Sequence, residues 1–447
     1  MITLKKQHRG YKSCKEVDSI WFDRIPISWR EGKVTRFTII KTGGTPNREI
    51  LSYWENGSIP WMSSGEVNKG IVRETDNKIT EDGFRNSNAT LLPVHSVMIA
   101  LNGQGKTKGM SAILEIEATC NQSLAALICD EKNLHYKFLY YYLQIQYRTI
   151  RGLVGDDARD GLNMSTMKEI FMPIPTLEEQ VSIASYLDEK CALIDRVIEG
   201  KKKQIEILEE QRAAIINQAV MKGLDESVEM KESGVEWIGE IPKEWQAIRL
   251  SKLTTKMTNG FVGPTRNIFF DSGVKYLQSL HIKNNHIIFD TEYYVSEKWS
   301  NEHSKSILWE GDLLFVQTGD IGQVALVTKD FEGSNCHALI ITRPNKKYLL
   351  PEYLVWYFLS SLGKEQLIAH QTGAMHPHLN CRVIKYIPVI IPSKKEQLEI
   401  AEFLEVEDSK IRKTIGLVEH SISVLNEYKT SLISHVVTGK IDISHTQ

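Results

Sequence analysis

Trp21-Phe22-Asp23-Arg24-Ile25-Pro26-Ile27-Ser28-Trp29 and Trp237-Ile238-Gly239-Glu240-Ile241-Pro242-Lys243-Glu244-Trp245 carry Trp, Ile-Pro and Trp at the same spacing, 216 residues apart. The agreement continues outward from both copies. Lys15-Glu16 upstream of the first matches Lys231-Glu232 upstream of the second, and Thr42 and Gly44 recur as Thr258 and Gly260. Further on, the apolar run 97–100 recurs as 313–316, Asn121 falls near Asn335, and aromatic 138–143 falls near 353–358. Leu162-Asn163 then matches Leu379-Asn380, and Pro173-Ile174-Pro175 matches Ile390-Ile391-Pro392. An offset held between 214 and 217 throughout a module marks an internal duplication. The expected organisation is an N-terminal segment 1–20, a first module 21–176, a long helix 177–222, a linker 223–236, a second module 237–393, a second long helix 394–438 and a tail 439–447.

Within each module, short β-type runs alternate with loops and lead to a late helix. Strands are expected at 96–101, 111–116, 123–129, 311–317, 324–328 and 338–343, and aromatic-rich helices at 136–147 and 351–370. The fold class is therefore α+β. The segments between and after the modules differ in character. A seven-residue apolar repeat runs through Ala184, Leu187, Cys191, Ile194, Ile198, Lys201, Ile205, Leu208, Arg212, Ile215 and Ala219. It recurs, offset by 217, from Ala401, Leu404 and Asp408 to Leu432 and Val436. Five heptads in register predict two antiparallel helices in a left-handed coiled coil, each roughly 65 Å long at about 1.5 Å per residue. The alternative is that each helix simply packs on its own module. Lys201, Arg212, Asp408 and Lys429 interrupt the seam, and such residues set register rather than add stability. A module at each end of the pair, with the chain termini close together, gives a pseudo-twofold molecule.

Composition narrows the classes. Lys plus Arg number 54 and Asp plus Glu 56 in 447 residues, so nucleic-acid binding is permitted but not announced. The charge is uneven: 21–170 holds 18 basic and 17 acidic residues, whereas 178–222 holds 7 and 9. No apolar run long enough to span a membrane and no secretory leader is present, which points to a cytoplasmic protein. The six cysteines show no C-x-x-C pairing, so zinc ribbons and disulfide frameworks are not expected.

The duplicated Trp-x-x-x-Ile-Pro-x-x-Trp opening, the Pro-rich closure of each module and the two long helices together resemble the specificity subunit of type I restriction-modification systems. The likeness runs from about Lys15 to Asp442. It implies two target-recognition domains, each reading one half of a bipartite sequence in double-stranded DNA, and no catalytic activity in this chain. It also implies docking of two methyltransferase subunits, which use S-adenosylmethionine, and two restriction subunits, which use ATP and magnesium. No cofactor or metal is expected in the chain itself.

Base edges are read by amide, hydroxyl and guanidinium side chains, with glycine allowing close backbone approach. On that chemistry the first module offers Thr42, Gly43, Gly44, Thr45 and Arg48; Ser63, Ser64 and Asn68; Asn102, Gln104, Lys106 and Lys108; and Asn163. The second offers Thr258, Asn259 and Arg266; Gln278, Ser279, His281 and Lys283; Gln317 and Thr318; and Gln371, His376, His378 and Asn380. Lys41, Lys106, Lys108, Arg266 and Lys283 suit phosphate contacts, which position a protein without specifying sequence. Three patterns invite other chemistry. Gly103-Gln104-Gly105-Lys106-Thr107 approaches a phosphate loop, but a strand rather than a helix is expected to follow it. His376, His378 and Cys381 lack a fourth ligand. The acids Asp156, Asp157 and Asp160 have no counterpart in the second module. An enzyme carrying its own specificity, either a methyltransferase or a nuclease, is the competing reading, but no Asn-Pro-Pro-Tyr or Asp-Pro-Pro-Tyr string is present. A coiled-coil adaptor that binds only protein is the third.

Overall fold

The computed structural model describes residues 10–103, 105–154, 161–225, 227–373 and 378–444. It resolves two units, Met1–Gly200 with His420–Gln447 and Lys201–Glu419. In the first unit the Ile-Pro of the signature lies on strand Arg24–Pro26, which pairs antiparallel with Cys14–Glu16 so that Lys15 faces Ile25. In the second, Glu240–Pro242 pairs with Met230–Glu232 in the same register, Lys231 facing Ile241. A proline is tolerated in so short an edge strand because no further ladder depends on its missing N–H. The strand after each signature, Arg30–Lys33 or Gln246–Arg249, pairs with the Pro-rich strand that closes its module, Phe171–Ile174 or Pro388–Ile391. Signature and closure recur together because they form one clasp.

The signature's second tryptophan ties this clasp to a long helix. Trp29 Nε1 donates to Glu179 Oε1 at 3.2 Å, while Glu179 Oε2 accepts from the Thr176 N–H at 3.1 Å and its hydroxyl at 3.0 Å. In the second unit Trp245 Nε1 donates to Glu396 Oε1 at 3.2 Å, and Ser393 N–H donates to Glu396 Oε2 at 3.1 Å. Each glutamate therefore completes a helix capping box and also satisfies an indole N–H that burial would otherwise leave unpaired. The next residue, Gln180 or Gln397, is fully buried. Gln180 accepts from His135 N–H and donates to the Asn133 and Pro175 carbonyls. Gln397 accepts from Leu350 N–H and donates to the Tyr348 and Pro392 carbonyls.

The first unit's main sheet has the order Thr38–Thr42, Leu124–Cys129, Val97–Ala100, Ser111–Leu114, Ile71–Val72. A smaller sheet orders Thr119–Cys120, Ile59–Met62, Asn77–Ile79. The second unit matches these with Thr254–Asn259, Leu339–Pro344, Leu313–Val316, Val324–Leu326 and with Tyr294–Val295, Val274–Leu277, Asn335–Cys336. Each main sheet buries one face under the aromatic helices, where Phe138, Tyr142, Tyr353, Tyr357 and Phe358 are fully enclosed. A second apolar cluster covers its other face. The six expected strands are all present, five of them slightly trimmed and the sixth shifted by one residue to Leu339–Pro344.

Three readings need correction. The helix expected over 351–370 is two, Pro351–Leu359 and Ser361–Ala369. Ser360 is extended and its hydroxyl caps the second helix by accepting from Gly363 N–H. Thr119, not Asn121, is the partner of Asn335, since these two hold the same rung of the small parallel pairing. Gly43, not Gly44, corresponds to Gly260. A β-bulge between Thr254 and Lys256 adds one residue to the second unit's edge strand, so Thr258 faces Ile341 where Lys41 faces Ala126.

The long helices are Leu177–Lys222 and Lys394–Val437, and they pack against each other in opposite directions. Both expectations for them hold in part. Within the first unit, Ile183, Leu187, Cys191, Ile194 and Ile198 share one core with Leu432, Ile433, Val436 and Val437, and also with the module's own Phe138 and Leu139. Three of the four polar seam residues are paired within their units: Lys429 with Asp195 at 2.7 Å, and Arg212 with Asp408. Among the described residues no helix is long and apolar enough to cross a membrane.

Candidate nucleic-acid interface

Glycine brings the first loop down onto its neighbour. A Cβ on Gly43 would lie 1.8 Å from the Cys120 carbonyl oxygen, so only glycine allows loop 42–48 to rest against the end of Thr119–Cys120. Gly260 makes the same approach in the second unit, where a Cβ would lie 2.6 Å from Cys336 Sγ and 2.7 Å from the Cys336 carbonyl oxygen. Burial pushes the Cys120 thiol up to about 12, so it is a packed thiol and not a nucleophile.

The turn that follows each of these strands joins some of the remaining loops directly, and backbone bonds between neighbouring loops bring in the others. Asn121 N–H donates to the Met62 carbonyl at 3.1 Å, beside loop 63–69. The Ser123 carbonyl accepts from Leu101 N–H at 2.8 Å, beside loop 102–108, and Gln122 meets Thr45 of loop 42–48. Leu162 N–H donates to the Leu101 carbonyl at 2.9 Å, and Gly161 packs on Asn102. In the second unit His337 N–H donates to the Leu277 carbonyl at 2.8 Å, Ala338 N–H to the Phe261 carbonyl at 2.9 Å, and Leu379 N–H to the Gln317 carbonyl at 2.9 Å. Four loops that are far apart in sequence therefore meet on one face of each module.

Individual side chains divide into three groups. Exposed on this face are Arg48, Asn102, Lys106, Arg266, Ser279 and Thr318, with Thr45, Lys283, Gln317, Gln371 and His378 partly so. Arg48 stands over the rings of Trp54 and Trp61, 5.3 and 5.5 Å from their centroids, which holds its guanidinium in place. Thr318 pairs through its backbone with His378, and Lys283 is paired with Asp290 at 2.6 Å. A second group is committed to local structure. Ser63 caps the short helix Ser64–Lys69 through Glu66, and Asn68 donates to the Gly65 carbonyl. Asn163 and Asn380 cap Met164–Lys168 and Cys381–Ile384, and Asn259 accepts from the Cys381 thiol. Ser64 and Thr42 are half-buried, and Gln278 binds His281 through its own N–H.

The third group is buried. Gly43, Gly44, Lys108 and Thr258 lie inside. His281 is fully enclosed, its Nδ1 accepting from Gln278 N–H and its Nε2 meeting the Thr291 carbonyl, and burial holds its pKa below the usual histidine range. These residues shape the face without presenting side chains to it. Gln104 and His376 lie outside the described residues, as do Asp156, Asp157 and Asp160. Segment 111–114 is a strand, so 103–107 lacks the helix that a phosphate loop requires. Among the described residues no cluster of three His, Cys, Asp or Glu side chains is placed to hold an ion. The turn residues 121–123 and 337–338 were not among the candidates, because their central position comes from the parallel pairing, which leaves no local sequence signal.

The family model for the type I restriction modification DNA specificity domain matches this chain twice, at residues 26–207 and 242–418. The chain belongs to this family. It is 24% identical over 439 residues to the type I restriction enzyme MjaIX specificity subunit of Methanocaldococcus jannaschii, covering 96% of each chain. Two solved structures share the fold at low identity. One is a chain from a study of complex assembly and conformational transition of the type I R-M system, with TM-score 0.74, 13% identity, 93% of this chain and 99% of that one. Another is the HsdS subunit of Thermoanaerobacter tengcongensis, with TM-score 0.51, 13% identity, 93% of this chain and 98% of that one.

Proposed function

We propose that this chain is the DNA sequence-specificity subunit of a type I restriction-modification complex. Each module reads one half of a bipartite target, and the long helices set the gap between halves and dock methyltransferase subunits. The observation that carries this reading is the repeated face. Both modules bring four loops together on one face, yet they differ in the side chains presented there, as expected of two readers of unlike half-sites on a common scaffold. The chain itself performs no chemistry in this proposal. Two methyltransferase subunits would supply S-adenosylmethionine-dependent adenine methylation, and two restriction subunits the ATP- and magnesium-dependent steps.

Methylome sequencing of cells with and without the chain tests the proposal. A bipartite adenine-methylated motif should appear only with it, and exchanging the module 237–393 for that of a relative should alter one half of the motif. No change in methylation when the chain is deleted from a cell that expresses its partners overturns the reading. Methylation by the purified chain alone would favour the self-contained enzyme instead.

A further inference from the structure

The turn 121–123 lies where the first module's loops meet, and two of its three residues are used by the fold. Asn121 donates its N–H to Met62 and accepts Ser123 N–H on its side-chain oxygen. The Ser123 carbonyl receives Leu101 and Asn102. Gln122 is different. It is exposed, and its side-chain oxygen accepts the Thr45 hydroxyl at 2.6 Å. Among the described residues its amide nitrogen has no partner.

We propose that Gln122 is a base-reading residue of the first module, that it reads the major-groove edge of an adenine, and that Thr45 is its positioning residue. This rests on the DNA-reading function proposed above. A primary amide presents an acceptor and a donor side by side, the complement of adenine N6–H and N7. The glutamine oxygen has two lone pairs, so the Thr45 bond leaves one for the base. By holding the oxygen, Thr45 fixes which way the amide faces before DNA arrives, so less rotamer entropy is lost on binding. Thr45 is itself fixed, since Gly43 clamps loop 42–48 against Cys120 and the Gly44 carbonyl accepts from Trp61 Nε1 at 2.9 Å. The second module has no such reader. Its turn is one residue shorter, His337 takes the place of Asn121, and Ala338 alone precedes the ladder at Leu339.

The test is selection of duplexes from a randomised library by the purified full-length chain, comparing wild type with Gln122→Ala, Gln122→Glu, Thr45→Val and Thr45→Ser. Wild type should prefer adenine at one position of one half-site by roughly fivefold to 100-fold, as a bidentate contact does. Gln122→Ala should bring that position close to parity. Gln122→Glu should turn the preference towards cytosine, whose exocyclic amine a carboxylate accepts. Thr45→Val should broaden the same position only, and Thr45→Ser should restore it. The other half-site serves as the folding control and stays unchanged in every variant. Wild-type selection of a bipartite motif that Gln122→Ala leaves fully intact overturns this inference alone. A wild-type chain that selects no sequence overturns the DNA-reading proposal and this inference with it.

Discussion

At the scale of single residues, His281 shows how a side chain with the right chemistry for DNA serves the core instead. Its Nδ1 must stay unprotonated to accept from Gln278, and burial opposes the charged form. With the folded pKa below the unfolded value of 6.5, the neutral ring's contribution is present above pH 6.5 and is lost as pH falls through the folded pKa. Hydrogen exchange in segment 274–295 should therefore report a smaller opening free energy at about pH 5.5 than at about pH 7.5, and His281→Asn should flatten that difference. Equal values for the wild type at both pH values would show that the ring is not held neutral. Sequence alone could not sort His281 from Arg48, because both residue types suit DNA and only through-space packing distinguishes them. It did mark Trp29 and Trp245 by repetition. Their partners Glu179 and Glu396 were unmarked, since nothing local says that a capping carboxylate has an indole to satisfy as well.

At the scale of elements, the heptads were legible because seven-residue periodicity is written locally, and so were the strands that line the core. Less visible was how the polar breaks in the seam are resolved. Arg212 and Arg412 both reach Asp408, whose side chain is only 9% exposed. Asp408→Ala strips both arginines of their shared partner, and the expected loss is up to about 3–5 kcal/mol, the range for breaking a buried pair. Urea denaturation followed by fluorescence of the second unit's tryptophans measures it. Replacing Asp408 and Arg212 together with leucine should recover most of that loss, because apolar packing removes the desolvation penalty of both charges. A double variant no more stable than Asp408→Ala would place the whole cost on Arg412. The bulge at Thr254–Lys256 and the helix break at Ser360 escaped a pattern reading for a related reason: one inserted residue, or one capping hydroxyl, changes the local geometry without disturbing the hydrophobic pattern.

At the scale of the whole molecule, the duplication was read correctly and its alignment only approximately, since a constant offset cannot register a bulge in one copy and a shortened turn in the other. The proposed role of the long helices makes a prediction at this scale. Deleting one heptad from each, 198–204 and 415–421, should alter the preferred gap between half-sites by about 10 Å, or roughly three base pairs, and leave the half-sites themselves unchanged. Methylome sequencing reads both quantities at once, and a motif with its original gap would rule the helices out as the spacer. The shortened turn has a consequence of its own. Both versions, 121–123 and 337–338, emerge from matched rungs of the same small parallel pairing and return to the same central strand, so the framework accepts either length. An engineer seeking altered preferences could diversify that turn in size as well as composition while leaving every buried position alone, and natural drift could do the same by a single-codon insertion or loss.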